Sequence, residues 1–222
     1  MLEDEDWRES YKEHFKSWRF RGLHWVPLWE KESYVVPDGE AVVWLDPGMA
    51  FGTGNHETTR LCVERLVEYA YRQIDAGIDL NTMDIVDAGC GSGILILSAS
   101  KLGFEKLRAF DNDAEAVRIS EENATMNNAS DSICFEVADL TNGFNAGKAD
   151  FLMANILANI LAENAIKLID ALKPGGQLVL SGILTREVDE VRAAFAVDLR
   201  VEECGSRDLG EWSDLVFNRT KK

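Results

Sequence analysis

The chain has 222 residues, 46% of them hydrophobic and 28% charged, with a formal net charge of -16. That length suits one large domain with at most a small appendage, with enough apolar content for a sizeable core. The acidic balance weighs against a general nucleic-acid binder, which needs clustered Lys and Arg, and suits encounter with a basic partner.

No apolar run approaches the roughly 20 residues of a membrane helix, and Met1-Leu2-Glu3-Asp4-Glu5-Asp6 is unlike a secretory signal, so a cytoplasmic protein is expected. Cys62, Cys90, Cys134 and Cys204 form no C-x-x-C pair, which argues against a zinc ribbon or a disulfide framework. His56-Glu57-Thr58-Thr59-Arg60 begins like the zinc-protease motif H-E-x-x-H, but Arg60 stands where the second histidine ligand is needed. No metal site is expected.

In chain order, Trp7, Tyr11, Phe15 and Trp18 recur at three- to four-residue spacing, which predicts a helix over residues 3–18 with one core-facing aromatic stripe. Extended pieces follow at Leu23–Leu28 and Ala41–Leu45, separated by Pro37, Asp38 and Gly39. Residues 1–45 read as a helical and extended linker segment packing on a domain of residues 46–222. Asp46-Pro47-Gly48 is a turn and Phe51–Asn55 a flexible loop, with Asn55 placed to cap a helix running to about Gln73. Strands are then expected at Met83–Ala88, Leu107–Phe110, Ile133–Val137, Phe151–Ala154 and Leu178–Leu180. Helices lie between them at about Gly93–Leu102, Ala114–Met126, Ile156–Leu172 and Thr185–Ala196. Such alternation with apolar strands indicates a doubly wound, mostly parallel sheet covered on both faces. Leu199–Cys204 and Trp212–Phe217 read as a closing antiparallel pair around Gly205–Gly210.

Asp87-Ala88-Gly89-Cys90-Gly91-Ser92-Gly93 follows the first parallel strand. A glycine turn from strand into helix lets a ligand touch backbone at the carboxyl end of the sheet, where open α/β folds bind ligands. A dinucleotide fingerprint needs glycine at position 94, where Ile94 stands; the spacing G-x-G-x-G resembles the first motif of class I methyltransferases. Asp111 ends the next strand, at the distance from which an acid reaches ribose hydroxyls. Asp113 suits a helix cap, and Asp139 is placed either to accept from an adenine amino group or to serve as an ordinary loop aspartate. Asp87 either meets the ammonium of a methionine moiety or pins the loop through backbone N–H bonds. Asn155 ends the fourth parallel strand over the same crevice. There it is placed to aim a neutral amine at a methyl group, or to cap the following helix.

Leu45 through Thr59 closely resembles the signature loop of the PrmA family, bacterial methyltransferases of ribosomal protein L11. Asp87 through Leu95, Ala154 through Ala158, Leu180-Ser181-Gly182-Ile183-Leu184 and the Glu5-Asp6-Trp7 start are similar to that family's other motifs. The resemblance covers essentially the whole chain. It implies a Rossmann-like class I methyltransferase with a seven-stranded sheet, S-adenosylmethionine as cofactor, and transfer to a lysine ε-amine or N-terminal α-amine of a ribosomal protein. The family's cofactor contacts then fall on Thr59, Gly89, Asp111 and Asn155; Gly91 of the glycine loop and Asp139 after the third strand are expected at the cofactor from their positions. Asn155 also acts in catalysis, and Phe51 and Thr53 belong to a loop closing over the cofactor. Family members usually carry an N-terminal domain that recognises the ribosomal protein, and this chain begins where the linker to it stands. The alternatives are N-methylation of a small amine or a nucleic-acid base, an NAD-dependent oxidoreductase, and a non-catalytic cofactor-binding module. Ile156 and Leu157 stand where the base enzymes' N-P-P-[YF] pattern has prolines.

Overall fold

The computed structural model describes residues 16–45, 56–145 and 147–221. The chain opens with a small sheet of β1 (Trp18–Phe20), β2 (Leu23–Pro27) and β3 (Ala41–Leu45), in which β1 is antiparallel and β3 parallel to β2. Trp18 is therefore in a strand, not in the helix expected to reach it; residues 3–15 of that stripe lie outside the described residues. The cause is a cross-strand pair: Trp18 faces Trp25 in register, and the two rings stack with centroids 4.0 Å apart. Arg21, with φ of 51°, makes the tight reversal between the strands.

This small sheet is bound to the larger unit by side chains. Trp25 is fully buried, and its indole N–H donates to Ser98 Oγ at 2.9 Å. On the β3 edge the Asn127 amide mimics a neighbouring strand, accepting from the Trp44 N–H at 2.8 Å and donating to the Trp44 carbonyl at 2.7 Å.

Helix α1 (Glu57–Asp75) buries Leu61, Cys62, Val63, Leu66, Val67 and Ala70 along one side, as its apolar spacing demands. Its cap is His56, whose ring nitrogen accepts from the Thr58 N–H at 3.4 Å, whereas the expected cap, Asn55, lies outside the described residues.

Strand–helix alternation follows: β4 (Asp84–Ala88), α2 (Ile94–Lys101), β5 (Lys106–Asp111), α3 (Ala114–Met126), β6 (Ile133–Val137), β7 (Ala149–Asn155), α4 (Ala158–Glu163), α5 (Ala165–Ala171), β8 (Leu172–Leu184), α6 (Val188–Ala196), β9 (Val201–Leu209) and β10 (Trp212–Arg219). Among the described residues these strands form a seven-stranded sheet in the order β6-β5-β4-β7-β8-β10-β9. Neighbours are parallel from β6 to β8, and β10 runs against both β8 and β9.

Two apolar cores result, one on each face. One joins α1, α2 and the small sheet to Ile85, Met153 and Val179; the other joins α4, α5 and α6 to Leu152, Leu178 and Leu180. Strands β4, β7 and β8 are buried on both faces, which is why they read as apolar runs.

Three expected boundaries are corrected. The helix foreseen over Ile156–Leu172 is two helices broken at Asn164, and it starts two residues later, at Ala158. Asn164 turns its amide back onto the Ile160 carbonyl at 2.9 Å, a local bond that competes with helix continuation. Residues 185–187 form a single 3-10 turn before α6. Strand β9 runs to Leu209, so the reversal lies at Gly210 (φ 62°), and Gly205 sits inside β9 opposite Val216, where the register shifts.

Candidate functional site

Strand β4 is the first strand of the seven-stranded sheet in chain order yet lies inside it, with β5 on one side and β7 on the other. The connections diverge there, which opens a crevice beyond the carboxyl ends of the strands. A cavity of about 910 Å³ occupies it, within the range of small-molecule sites. Thr59, Gly89, Gly91, Asp111, Asp139 and Asn155 all line it, so the fold brings together the expected site residues that it describes. Phe51 and Thr53 lie outside the described residues.

The glycine loop is shaped by backbone geometry. Gly89, Gly91 and Gly93 have φ of 78°, 54° and 77°, a region that L side chains rarely adopt. The N–H groups of Gly89 and Cys90 donate to the Phe110 carbonyl at 2.9 and 3.0 Å, tying the end of β4 to the end of β5. Helix α3 holds the loop from behind: Ser120 Oγ donates to the Gly91 carbonyl at 2.8 Å, and the Asn123 amide donates to the Ser92 carbonyl at 2.9 Å.

Asp111 ends β5, and each of its oxygens accepts one backbone N–H. Oδ2 takes that of Gly91 and Oδ1 that of Asp113, both at 3.0 Å. A carboxylate oxygen accepts more than one bond, so both remain available to hydroxyls in the cavity. Asp113 caps α3 by accepting from the Glu115 N–H at 2.9 Å, as its position predicts. Asp139 follows β6; its Oδ1 accepts from the Thr141 N–H at 2.6 Å and from the Thr141 hydroxyl. These bonds hold its carboxyl below the usual carboxylate range and leave Oδ2 for a cavity donor.

Asn155 closes β7 in register with Ser181 of β8. It does not cap the next helix, whose cap position is Leu157 with no side-chain bond. The following residue is wedged in place. A Cβ on Gly89 would meet Ile156 Cγ2 at 2.5 Å, and one on Gly182 would meet the Ile156 carbonyl oxygen at 2.4 Å. Thr59 lies in the first turn of α1, almost wholly buried against the cavity wall.

Asp87 is fully buried beneath the loop and is not among the lining residues. Its Oδ2 accepts from the Ile96 N–H at 3.2 Å, so it pins α2, while Oδ1 has no protein partner. Burial, reinforced by the nearby Asp111 charge, pushes its carboxyl up to about 7. Burial likewise raises the Cys90 thiol, which leaves it a neutral, inert wall group.

Sequence reasoning did not place His56, Phe110, Asn164 or Trp212 at this site, yet all four line it. Trp212 arrives from the C-terminal hairpin, its ring edge-on to His56 with centroids 5.1 Å apart. No local motif marks it, because only the insertion of β10 beside β8 brings it there.

This strand order, with a glycine loop after the first strand of the large sheet and an acid ending the next, is the architecture of the class I methyltransferases. Solved structures share the architecture. An RNA methyltransferase from Salinibacter ruber, in complex with S-adenosyl-L-homocysteine, gives a TM-score of 0.54 at 18% identity over 72% of this chain and 91% of that one. A ribosomal protein L11 methylase from Lactobacillus delbrueckii subsp. bulgaricus gives a TM-score of 0.78 at 31% identity, over 93% of this chain and 100% of that chain. The chain belongs to the PrmA family, whose model, described as ribosomal protein L11 methyltransferase, matches residues 1–220. Ribosomal protein L11 methyltransferases of Pelobacter propionicus and Geotalea uraniireducens are 42% and 39% identical to it; each alignment covers 100% of this chain and 69% and 70% of the relative.

Proposed function

We propose that this protein transfers methyl groups from S-adenosylmethionine to amino groups of ribosomal protein L11, at lysine ε-amines, the N-terminal α-amine, or both. The reading rests on one observation: a single crevice gathers the glycine loop, Asp111, Asp139, Thr59 and Asn155. The family and the names of its relatives point to the same substrate.

In this reading the Asp111 oxygens accept the ribose hydroxyls, and Asp139 Oδ2 accepts from the adenine amino group. The open backbone of Gly89 and Gly91 lies along the methionine part, and Thr59, with Phe51 and Thr53, closes over it. Bound cofactor supplies a methyl already activated on a sulfonium, so the protein's work is alignment. A lysine amine, pKa about 10.4, is mostly protonated at neutral pH and must be presented neutral. Asn155 aims the lone pair: its amide oxygen accepts an amine N–H without recreating an ammonium–carboxylate pair. The walls beside it, Ile156, Leu157 and Trp212, suit the apolar stem of a lysine.

Residues 1–45 serve as a linker segment packed on the methyltransferase domain of residues 46–222. The net charge of -16 favours a basic protein substrate over nucleic acid. No helix among the described residues is long and apolar enough to cross a membrane, and a cytoplasmic site of action fits a ribosomal protein substrate.

The test is to incubate the protein with S-adenosylmethionine and recombinant L11 and to read L11 by mass spectrometry. Added methyl groups on amines are expected. Cofactor binding in calorimetry with no modified L11 would overturn the substrate, and thermal stabilisation by NAD but not by S-adenosylmethionine would overturn the cofactor site.

A further inference from the structure

The segment Leu180-Ser181-Gly182-Ile183-Leu184 ends β8, and its polar residue has no role in the chemistry above. Ser181 is fully buried. Its hydroxyl donates from the sheet to the Thr58 carbonyl in the first turn of α1, at 3.0 Å. Its backbone is paired in register with Asn155. Directly paired residues on neighbouring strands project to the same face of a sheet, so Ser181 and Asn155 share the face on which α1 rests. Thr59 is the next residue after the one Ser181 holds. A single buried hydroxyl therefore joins two elements that carry the site: the strand end that presents Asn155 and the helix turn that presents Thr59.

Its neighbour fixes the same place from the other side. Gly182 has φ of 80°, and its backbone lies so close to the Ile156 peptide that no Cβ fits. The Asn155–Ile156 segment thus packs directly against β8, and the Ser181 hydroxyl ties the first turn of α1 to the same strand.

Resting on the roles proposed above for Thr59 and Asn155, we infer that Ser181 is a positioning residue of the methyl-transfer site, setting the spacing between Thr59 and Asn155. Ser181 does not line the cavity. It acts through the Thr58 carbonyl and the β7–β8 ladder. Misplacing aligned groups by about 1 Å costs up to roughly a hundredfold in rate.

The experiment compares wild type, Ser181→Cys and Ser181→Ala in the full chain. It measures steady-state methylation of L11, the thermal midpoint, and hydrogen exchange of the amides in the first turns of α1. The expected result is a graded fall in kcat, wild type above Cys above Ala, reaching roughly tenfold for Ala. Faster exchange confined to the first turns of α1 should accompany it. A purely structural hydroxyl would lower the thermal midpoint and leave kcat and KM at wild-type values below it; that result overturns the inference. Should Ser181→Ala fail to fold, wild-type kcat in Ser181→Cys, whose thiol is a poor donor, overturns it equally. Thr59→Ala and Asn155→Ala serve as controls. If both retain wild-type turnover, the underlying site reading falls; if both are impaired while Ser181→Ala is not, only this inference falls.

Discussion

Asp111 takes one backbone N–H on each oxygen, one from the glycine loop and one from its own following turn, so its carboxylate is oriented before any ligand arrives. Asp111→Ala should weaken S-adenosylmethionine binding by about 1–3 kcal/mol, the value of bonds to a charged acceptor; calorimetry showing unchanged affinity would contradict the ribose role. Asp87 makes the opposite prediction, one about stability. Burial raises its carboxyl from 3.8 to about 7, so the folded protein holds a proton that the unfolded chain has released. That contribution is complete below about pH 4 and is lost as pH rises toward 7. Urea midpoints should therefore fall between pH 5 and pH 7.5 in the wild type, and Asp87→Asn should flatten that decline. Gly182→Ala meets both a positive φ and a carbonyl oxygen 2.4 Å away, so it should lose soluble expression or thermal stability outright.

At the scale of elements, the helix that delivers Thr59 is clamped to the C-terminal hairpin. Asp214, fully buried in β10, accepts from Arg65 Nε at 2.7 Å and Nη2 at 2.8 Å, and from the Arg207 N–H at 2.8 Å. Arg207 in turn reaches Glu68 of α1. Removing one partner of a buried pair strands the other charge, so Asp214→Ala should cost about 3–5 kcal/mol in chemical denaturation. Replacing Arg65 and Asp214 together by apolar residues should cost less than Asp214→Ala alone. The element pattern was legible because β4, β7 and β8 are buried on both faces and α1 on one. The break at Asn164 was not, since Ile160, Leu161, Ile166 and Leu168 continue the helical spacing through it, while the Asn164 backbone leaves the helical region at φ -110° and ψ 16° with its amide on the Ile160 carbonyl.

For the whole molecule, the small N-terminal sheet shares one core with the helices behind the glycine loop. Leu23, Trp25 and Val43 pack in the same cluster as Leu66, Leu95 and Ile96, and the Arg60 guanidinium lies 5.2 Å from the centre of the Trp18 ring. Deleting residues 1–45 would uncover that apolar surface and leave Ser98 without its indole donor. The shortened chain is expected to lose a sharp thermal transition in calorimetry. A transition matching that of the full chain would show the segment to be an appendage.

The order of strands and helices, the glycine loop, and the acid after the next strand were determined by sequence alone, because periodicity, turn chemistry and strand-end position are local properties. The resemblance in Leu45 through Thr59 added Thr59, which as a helix residue carries no signal of its own. Only tertiary structure decided that Trp212 and His56 reach the crevice, that Asp87 works from behind it, and that Ser181 joins α1 to Asn155. The Trp212 and Ser181 contacts depend on β10 inserting beside β8 and on α1 packing over the strands, while Asp87 is set by the fold of the loop between β4 and α2. Contacts between residues more than a hundred positions apart leave no periodic trace in the chain that makes them.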